Sequence, residues 1–187
     1  MSKGKRLTST VTSDSTVHLR IEEFEVPTPG PDEVLIAVEA SPINPSDLGL
    51  LLAGAHPSTA STSENGLTLS LPDGAIDALT ARIDQAMPVG NEGAGTVIDT
   101  GSEEQARALQ GQTVAVLAGG MYATHRIAKA RDCLVLQEGT EAIDAASCFV
   151  NPLTALGMTE TMRLEGHTAL IHTAAASNLG QMLNRIC

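Results

Sequence analysis

The stretch Gly166-His167-Thr168-Ala169-Leu170-Ile171-His172-Thr173-Ala174-Ala175-Ala176-Ser177-Asn178-Leu179-Gly180-Gln181 constrains this fold more than any other. Ala169, Leu170 and Ile171 predict a buried strand, and the small residues after them predict a tight turn. Leu179, Met182, Leu183 and Ile186 then predict the apolar face of a helix starting near Ser177. Small side chains at a strand-to-helix turn let backbone amides approach a phosphate, and the helix N-terminus adds partial positive charge. A single strand–helix unit cannot build a parallel sheet, which needs further crossovers. The expectation is therefore a truncated chain holding one nearly complete domain and the first step of a second.

Composition narrows the partners. Hydrophobic residues make up 42% of the 187 positions but aromatics only 2%, so the core must be aliphatic. A net charge of −11 argues against nucleic acid and against anionic membrane surfaces as partners. No apolar run approaches the ~20 residues needed to span a bilayer. Lys3, Lys5 and Arg6 are followed by polar residues, so they do not open a secretion signal. Cys133, Cys148 and Cys187 are widely spaced and form no C-x-x-C, which fits reduced thiols in a cytoplasmic protein.

Residues 1–15 are expected to hold a frayed end and a polar strand. Val17, Leu19, Ile21 and Phe24 predict a half-exposed strand that ends at Pro27-Thr28-Pro29-Gly30-Pro31, and alternation predicts another over 33–40. Asn44 is placed as the N-cap of a short helix reaching about Leu52, with Pro45 first and Asp47 in its first turn. Residues 57–72 read as a Ser/Thr/Gly-rich surface loop. Asp73 then reads as the cap of a helix with Ile76, Leu79, Ile83 and Met87 on one face. Strands are expected over 95–100, 112–117, 121–128 and 133–136, with a helical turn or two over 103–109. Helices are expected over 140–149 and, with Asn151 as cap and Pro152 first, to about Leu164. The class is α+β: a β-rich domain leading into an α/β one.

Three motifs stand in order: Asn44-Pro45-Ser46-Asp47, Val89-Gly90-Asn91-Glu92-Gly93-Ala94-Gly95, and Asn151-Pro152-Leu153-Thr154-Ala155, followed by the turn from Ala174 to Gly180. With them the chain resembles the N-terminal half of a medium-chain dehydrogenase/reductase, most closely the quinone oxidoreductase and 2-enoyl thioester reductase branch. The resemblance implies a GroES-like β-barrel substrate domain over 1–150 and a truncated start of a Rossmann domain over 151–187. It also implies that an insertion over 57–87 replaces a short loop above the substrate pocket. NADPH is the implied cofactor, a small molecule the implied substrate, and a homodimer the implied state of the full-length protein. The implied reaction is hydride transfer to a quinone or an activated carbon–carbon double bond.

Zinc-dependent members of that superfamily carry Cys where Asn44 stands, His where Asn91 stands and a further Cys near Val150. Catalytic zinc needs three ligands from His, Cys or carboxylate, so no metal is expected here. The catalytic candidates are Asn44 and His56. His56 falls about where the enoyl reductases carry a Tyr, and a His can donate a hydrogen bond or a proton. Tyr122, the only tyrosine, lies in a predicted strand away from that site in sequence. The cofactor-binding candidates are Asn151, Thr154, Ala176, Ser177, Asn178, Leu179 and Gly180. Ser177-Asn178-Leu179-Gly180 lacks the full G-x-G-x-x-G fingerprint, yet Ala and Ser still allow close packing and Asn178 tolerates left-handed backbone.

Structural roles stand beside each functional one: helix capping for Asn44 and Asn151, a first-turn charge for Asp47 beside a catalytic carboxylate, a turn or an Arg pair for Glu92 beside support of the pocket, a solvated surface position for His56, and a core position for His172 beside contact with the cofactor. Two further functions remain open. One is a non-catalytic reductase-like interaction subunit; the other is a zinc-binding relative of the alcohol dehydrogenases.

Overall fold

A computed structural model describes residues 2–63 and 66–187. Strands β1 (Lys3–Val11) and β2 (Thr16–Glu25) form an antiparallel hairpin, followed by β3 (Glu33–Ala40) and helix α1 (Pro45–Leu52). Then come β4 (Ser61–Ser63), β5 (Gly66–Ser70), a 3-10 helix (Ala75–Arg82), β6 (Met87–Pro88) and β7 (Glu92–Thr100). After α2 (Glu104–Arg107) run β8 (Thr113–Leu117), β9 (His125–Lys129) and β10 (Cys133–Val135). Three helices close the described chain: α3 (Ala142–Ala145), α4 (Val150–Leu164) and α5 (Asn178–Ile186).

The strands form two five-stranded sheets, ordered β4-β5-β2-β1-β6 and β10-β8-β7-β3-β9. A short segment stitches them together. Tyr122 O accepts from Leu7 N at 2.8 Å, Thr124 N donates to Lys5 O at 2.8 Å, and Thr124 O accepts from Val38 N at 3.0 Å. Hydrogen bonding thus runs from β1 through residues 122–124 to β3, curling the two sheets toward a barrel. Three buried clusters fill it, all aliphatic as the low aromatic content requires. One lies around Val34, Ile36, Val97, Val114, Val116 and Met121, one under α1 around Val11, Val17, Leu19 and Leu69, and an alanine-rich one beneath α3.

Several expectations are corrected. Residues 57–72 are not simply a loop, since β4 and β5 add a hairpin to the free edge of β2. The alternation Leu67, Leu69, Leu71 is the reason: Leu69 and Leu71 are buried against the α1 cluster, while Leu67 faces out. The segment after it is 3-10 rather than α. Gly74, not Asp73, precedes it, with φ 75° in the left-handed region that glycine alone adopts cheaply, and Met87 belongs to β6. Helix over 140–149 shrinks to α3. Most plainly, residues 169–171 form no strand, and Ile171 is 93% exposed. A strand exists only through its ladder partners, and among the described residues no strand lies beside these.

Among the described residues, no helix is long and apolar enough to cross a membrane.

Candidate functional site

Proline at the first helical position and an acid at the third fix the start of α1. Asp47 Oδ2 accepts the Asn44 backbone N–H at 2.7 Å, and its Oδ1 accepts the Asn91 backbone N–H at 2.8 Å. Asp47 is therefore a brace between α1 and the loop before β7. Gly90, at φ 95°, makes that loop possible; a Cβ there would also press within 2.7 Å of Tyr122 N.

Because Asp47 occupies the backbone end of the cap, the Asn44 side chain is used elsewhere. It is 3% exposed, donates through Nδ2 to Glu92 Oε1 at 2.9 Å, and accepts through Oδ1 from Asn151 Nδ2 at 3.2 Å. Glu92 is fully buried, and its Oε2 accepts the backbone N–H of Phe149 at 2.7 Å and of Val150 at 3.0 Å. A buried carboxylate requires such donors on both oxygens. Here they belong to α1 and to the first turn of α4, so one acid of β7 gathers both.

Asn151 does not cap α4. The helix already begins at Val150, which puts Asn151 second and Pro152 third, where a missing N–H still costs no helical bond. Its side chain reaches Asn44 and, at 3.4 Å, Ser147 Oγ. One turn on, Thr154 Oγ1 donates to its own helix at Val150 O, 2.6 Å.

The helix α5 starts as its sequence suggests. Ser177 is the N-cap and accepts from Gly180 N through Oγ at 3.1 Å. Asn178 is its first helical residue and does not adopt the left-handed conformation. Gly180 is required by contact: a Cβ there would lie 2.5 Å from Ala174 O.

These pieces wall a cleft of about 590 Å³. Asn44, Asn151 and Thr154 line it from the barrel and α4, and Ser177, Asn178 and Leu179 line it from the opposite turn. Six of the predicted site residues thus share one space. Among the described residues, no Asp, Glu, Lys or Arg lines it, and His172 is the one titratable side chain on its wall. Ala176 and Gly180 do not line it: Gly180 is buried, and Ala176 is exposed, its O accepting Gln181 Nε2 at 3.0 Å.

His56 is not brought to this cleft. It is exposed, caps the 3-10 turn Pro57–Thr59, and receives Ser58 N at Nδ1 over 3.2 Å. None of the described residues among 57–87 lines the cleft either, because that segment is spent on widening the β1–β2 sheet.

Sequence reasoning missed the part of Tyr122, and it offered pocket support for Glu92 only beside a turn or an Arg pair, without its actual partners. The Tyr122 hydroxyl donates to Pro42 O at 3.0 Å, pinning the loop that leads into Asn44. Burial, then the nearby Asp47 carboxylate, raises its pKa above the usual phenol value. An acid set between glycines just ahead of a predicted strand was the available signal for Glu92. Nothing local could have brought Tyr122 to Pro42.

Among the described residues, no three His, Cys, Asp or Glu side chains converge to hold a metal ion.

A family model for the alcohol dehydrogenase GroES-like domain matches residues 30–176. Among solved structures, a Mesorhizobium loti protein described as an NADPH:quinone reductase is 28% identical, with a TM-score of 0.69, over 98% of this chain and 51% of its own. One from Bacillus thuringiensis, described in the same words, is 22% identical with a TM-score of 0.68, over 100% of this chain and 49% of its own. The complex of Etr1p with NADP and crotonyl-CoA is 22% identical with a TM-score of 0.64, over 100% of this chain and 51% of its own. The latter two bear on the fold alone. The chain spans about half the length of these solved proteins.

Proposed function

From the premise that the chain belongs to the alcohol dehydrogenase GroES-like domain family, on the quinone oxidoreductase branch of the medium-chain dehydrogenase/reductases, we propose that it supplies the substrate side of a zinc-independent, NADPH-dependent reductase. The acceptor of hydride in this reading is a quinone or an activated carbon–carbon double bond. The observation that carries it is the shared cleft, in which Asn44, Asn151 and Thr154 face the N-terminus of α5.

The residues suit the cofactor. Exposed small residues at 174–176 leave backbone open to a ligand, Ser177 starts α5, and Gly180 allows the turn to lie against the helix. Ser177, Asn178 and Leu179 would hold its phosphates, with the helix dipole assisting. Asn151 and Thr154 would hold its nicotinamide end. When bound, NADPH supplies the hydride, and the protein contributes position and environment.

Zinc independence is supported by what Asn44 does. Its carboxamide is committed at both ends, to Glu92 and to Asn151, so the position works as a strut and not as a metal ligand. The uncharged cleft wall favours a neutral acceptor. His56 has no part in this reading, since it caps its own turn away from the cleft.

The activity is proposed for a protein in which these residues are joined to a second nucleotide-binding unit like that of the solved proteins. Such a protein should consume NADPH with a benzoquinone or a crotonyl thioester. Asn151→Ala and Thr154→Ala should each raise the KM for NADPH by about tenfold. No consumption with either acceptor class, despite tight NADPH binding, would point to the non-catalytic alternative. The 187 residues alone should bind NADPH weakly, and a micromolar Kd for them overturns the need for a second unit.

A further inference from the structure

Away from the cleft, at the seam of the two sheets, Arg6 of β1 and Arg126 of β9 line a separate cavity of about 250 Å³ together with His125. Their donors are scarcely used. Each guanidinium offers five N–H groups. Arg126 gives one, from Nη2 to Ala118 O at 3.0 Å. Arg6 lies over the Phe24 ring at 5.4 Å, and its Nη2 forms a long ion pair with Glu22 Oε2 at 3.8 Å, without a hydrogen bond. The Nε–H of both arginines is buried without a hydrogen-bond partner.

This is unusual for a chain in which 22 acidic residues face 11 basic ones. Carboxylates are in surplus, yet among the described residues the pair has only the long Arg6–Glu22 contact, and Arg126 has no carboxylate partner. Glu25 shares the lining but is solvent-exposed. Burial, and after it the charge of Arg6, lowers the pKa of Arg126, so the two cations are set against each other. Gly120, at φ 63°, keeps a side chain from crowding Arg126, whose Cζ is 3.7 Å from where a Cβ would stand. His125 Nδ1 is engaged by Thr124 Oγ1 at 2.9 Å, which leaves Nε2 for a ligand.

We propose that the Arg6–Arg126 cavity binds a small doubly charged oxyanion, either a phosphate monoester or a dicarboxylate, between the two guanidiniums, with His125 as a further donor. Guanidinium forks match such groups in shape as well as charge.

Calorimetric titration of the 187-residue protein with inorganic phosphate and, separately, with succinate at constant ionic strength tests this. Saturable one-to-one binding is expected. Tighter phosphate binding assigns the phosphate monoester, and tighter succinate binding assigns the dicarboxylate. Arg126→Met and Arg6→Lys should each weaken binding by about tenfold or more. Arg6→Lys keeps the charge over Phe24 and loses only the fork, so it serves if Arg126→Met does not fold. The proposal is overturned if neither anion saturates the unaltered protein, or if both folded variants bind as tightly as it does.

Discussion

Glu92 Oε1 accepts the side-chain N–H of Asn44 at 2.9 Å in a buried setting, across 48 residues of sequence. With Glu92 Oε2 holding the start of α4, this bond places the Asn44 motif and the Asn151 motif against each other. The wall of the cleft is thus an electrostatic assembly, and it can be taken apart residue by residue.

Glu92→Ala strands the buried Asn44 amide and two part-buried backbone N–H groups, those of Phe149 and Val150. Each unsatisfied group costs about 1–3 kcal/mol, so a loss of roughly 3 kcal/mol or more is expected. Urea denaturation measures it, and Glu92→Gln should recover part of the loss by restoring an acceptor. A loss under about 0.5 kcal/mol for the Ala variant would rule out the role given to this carboxylate.

Asn44→Asp sets a second carboxylate beside Glu92. Like charges disfavour ionisation, so the new group's folded-state pKa must rise above its unfolded value. An acid raised in this way destabilises the fold at neutral pH, and the deficit shrinks as pH falls toward the usual carboxylate range near 4. Melting temperatures of parent and variant between pH 7 and about 5 should therefore converge as the acid side is approached. Parallel curves would contradict the pairing.

Tyr122→Phe removes the hydroxyl that holds Pro42 O and keeps the ring that packs on Gly90. About 1 kcal/mol of stability should be lost. Faster amide exchange should appear at Ile43 and Asn44 and not in β8. Uniform change across the barrel would assign Tyr122 to general packing instead.

Gly180→Val drives a side chain into Ala174 O and Ala175. Overpacking of this kind costs about 1–3 kcal/mol. The damage should be local, read as faster exchange over α5 while the two sheets stay protected. An unchanged α5 would mean that the turn does not rest on this helix.

Burial pushes the Cys133 thiol up to about 11, whereas Cys187 is exposed. At pH 8 a thiol titrating there is about one part in a thousand thiolate, and the thiolate is the reactive form. Brief iodoacetamide treatment followed by peptide mass mapping should find Cys187 modified and Cys133 intact. Equal labelling of both would contradict the burial of Cys133.

Much of the barrel could be read from residue patterns, because β2, β3 and α1 obey local rules of alternation and capping. The β4–β5 hairpin escaped because its alternating leucines sit among Ser, Thr and Gly, and polarity outweighed periodicity. Residues 169–171 failed for a different reason: an apolar run becomes a strand only beside another strand, which is a non-local condition. The site divides in the same way. Asn44, Asn151, Thr154 and Ser177 lie in ordered motifs, and the fold brings them together. His56 was placed by counting along the chain, and counting fails once the following segment builds sheet. Tyr122 reaches Pro42 over 80 positions, a meeting that only the path of the backbone creates.

The amides of Phe149 and Val150 are shackled to the same acid that grips Asn44. The root of α4 is therefore tied directly to the barrel. Among the described residues, the small-residue turn at the head of α5 has no comparable bond to β7, and α5 rests on α4 instead. The two sides of the cleft are thus moored unequally, the Asn44 side to the sheet itself and the Ser177 side at one remove, through α4.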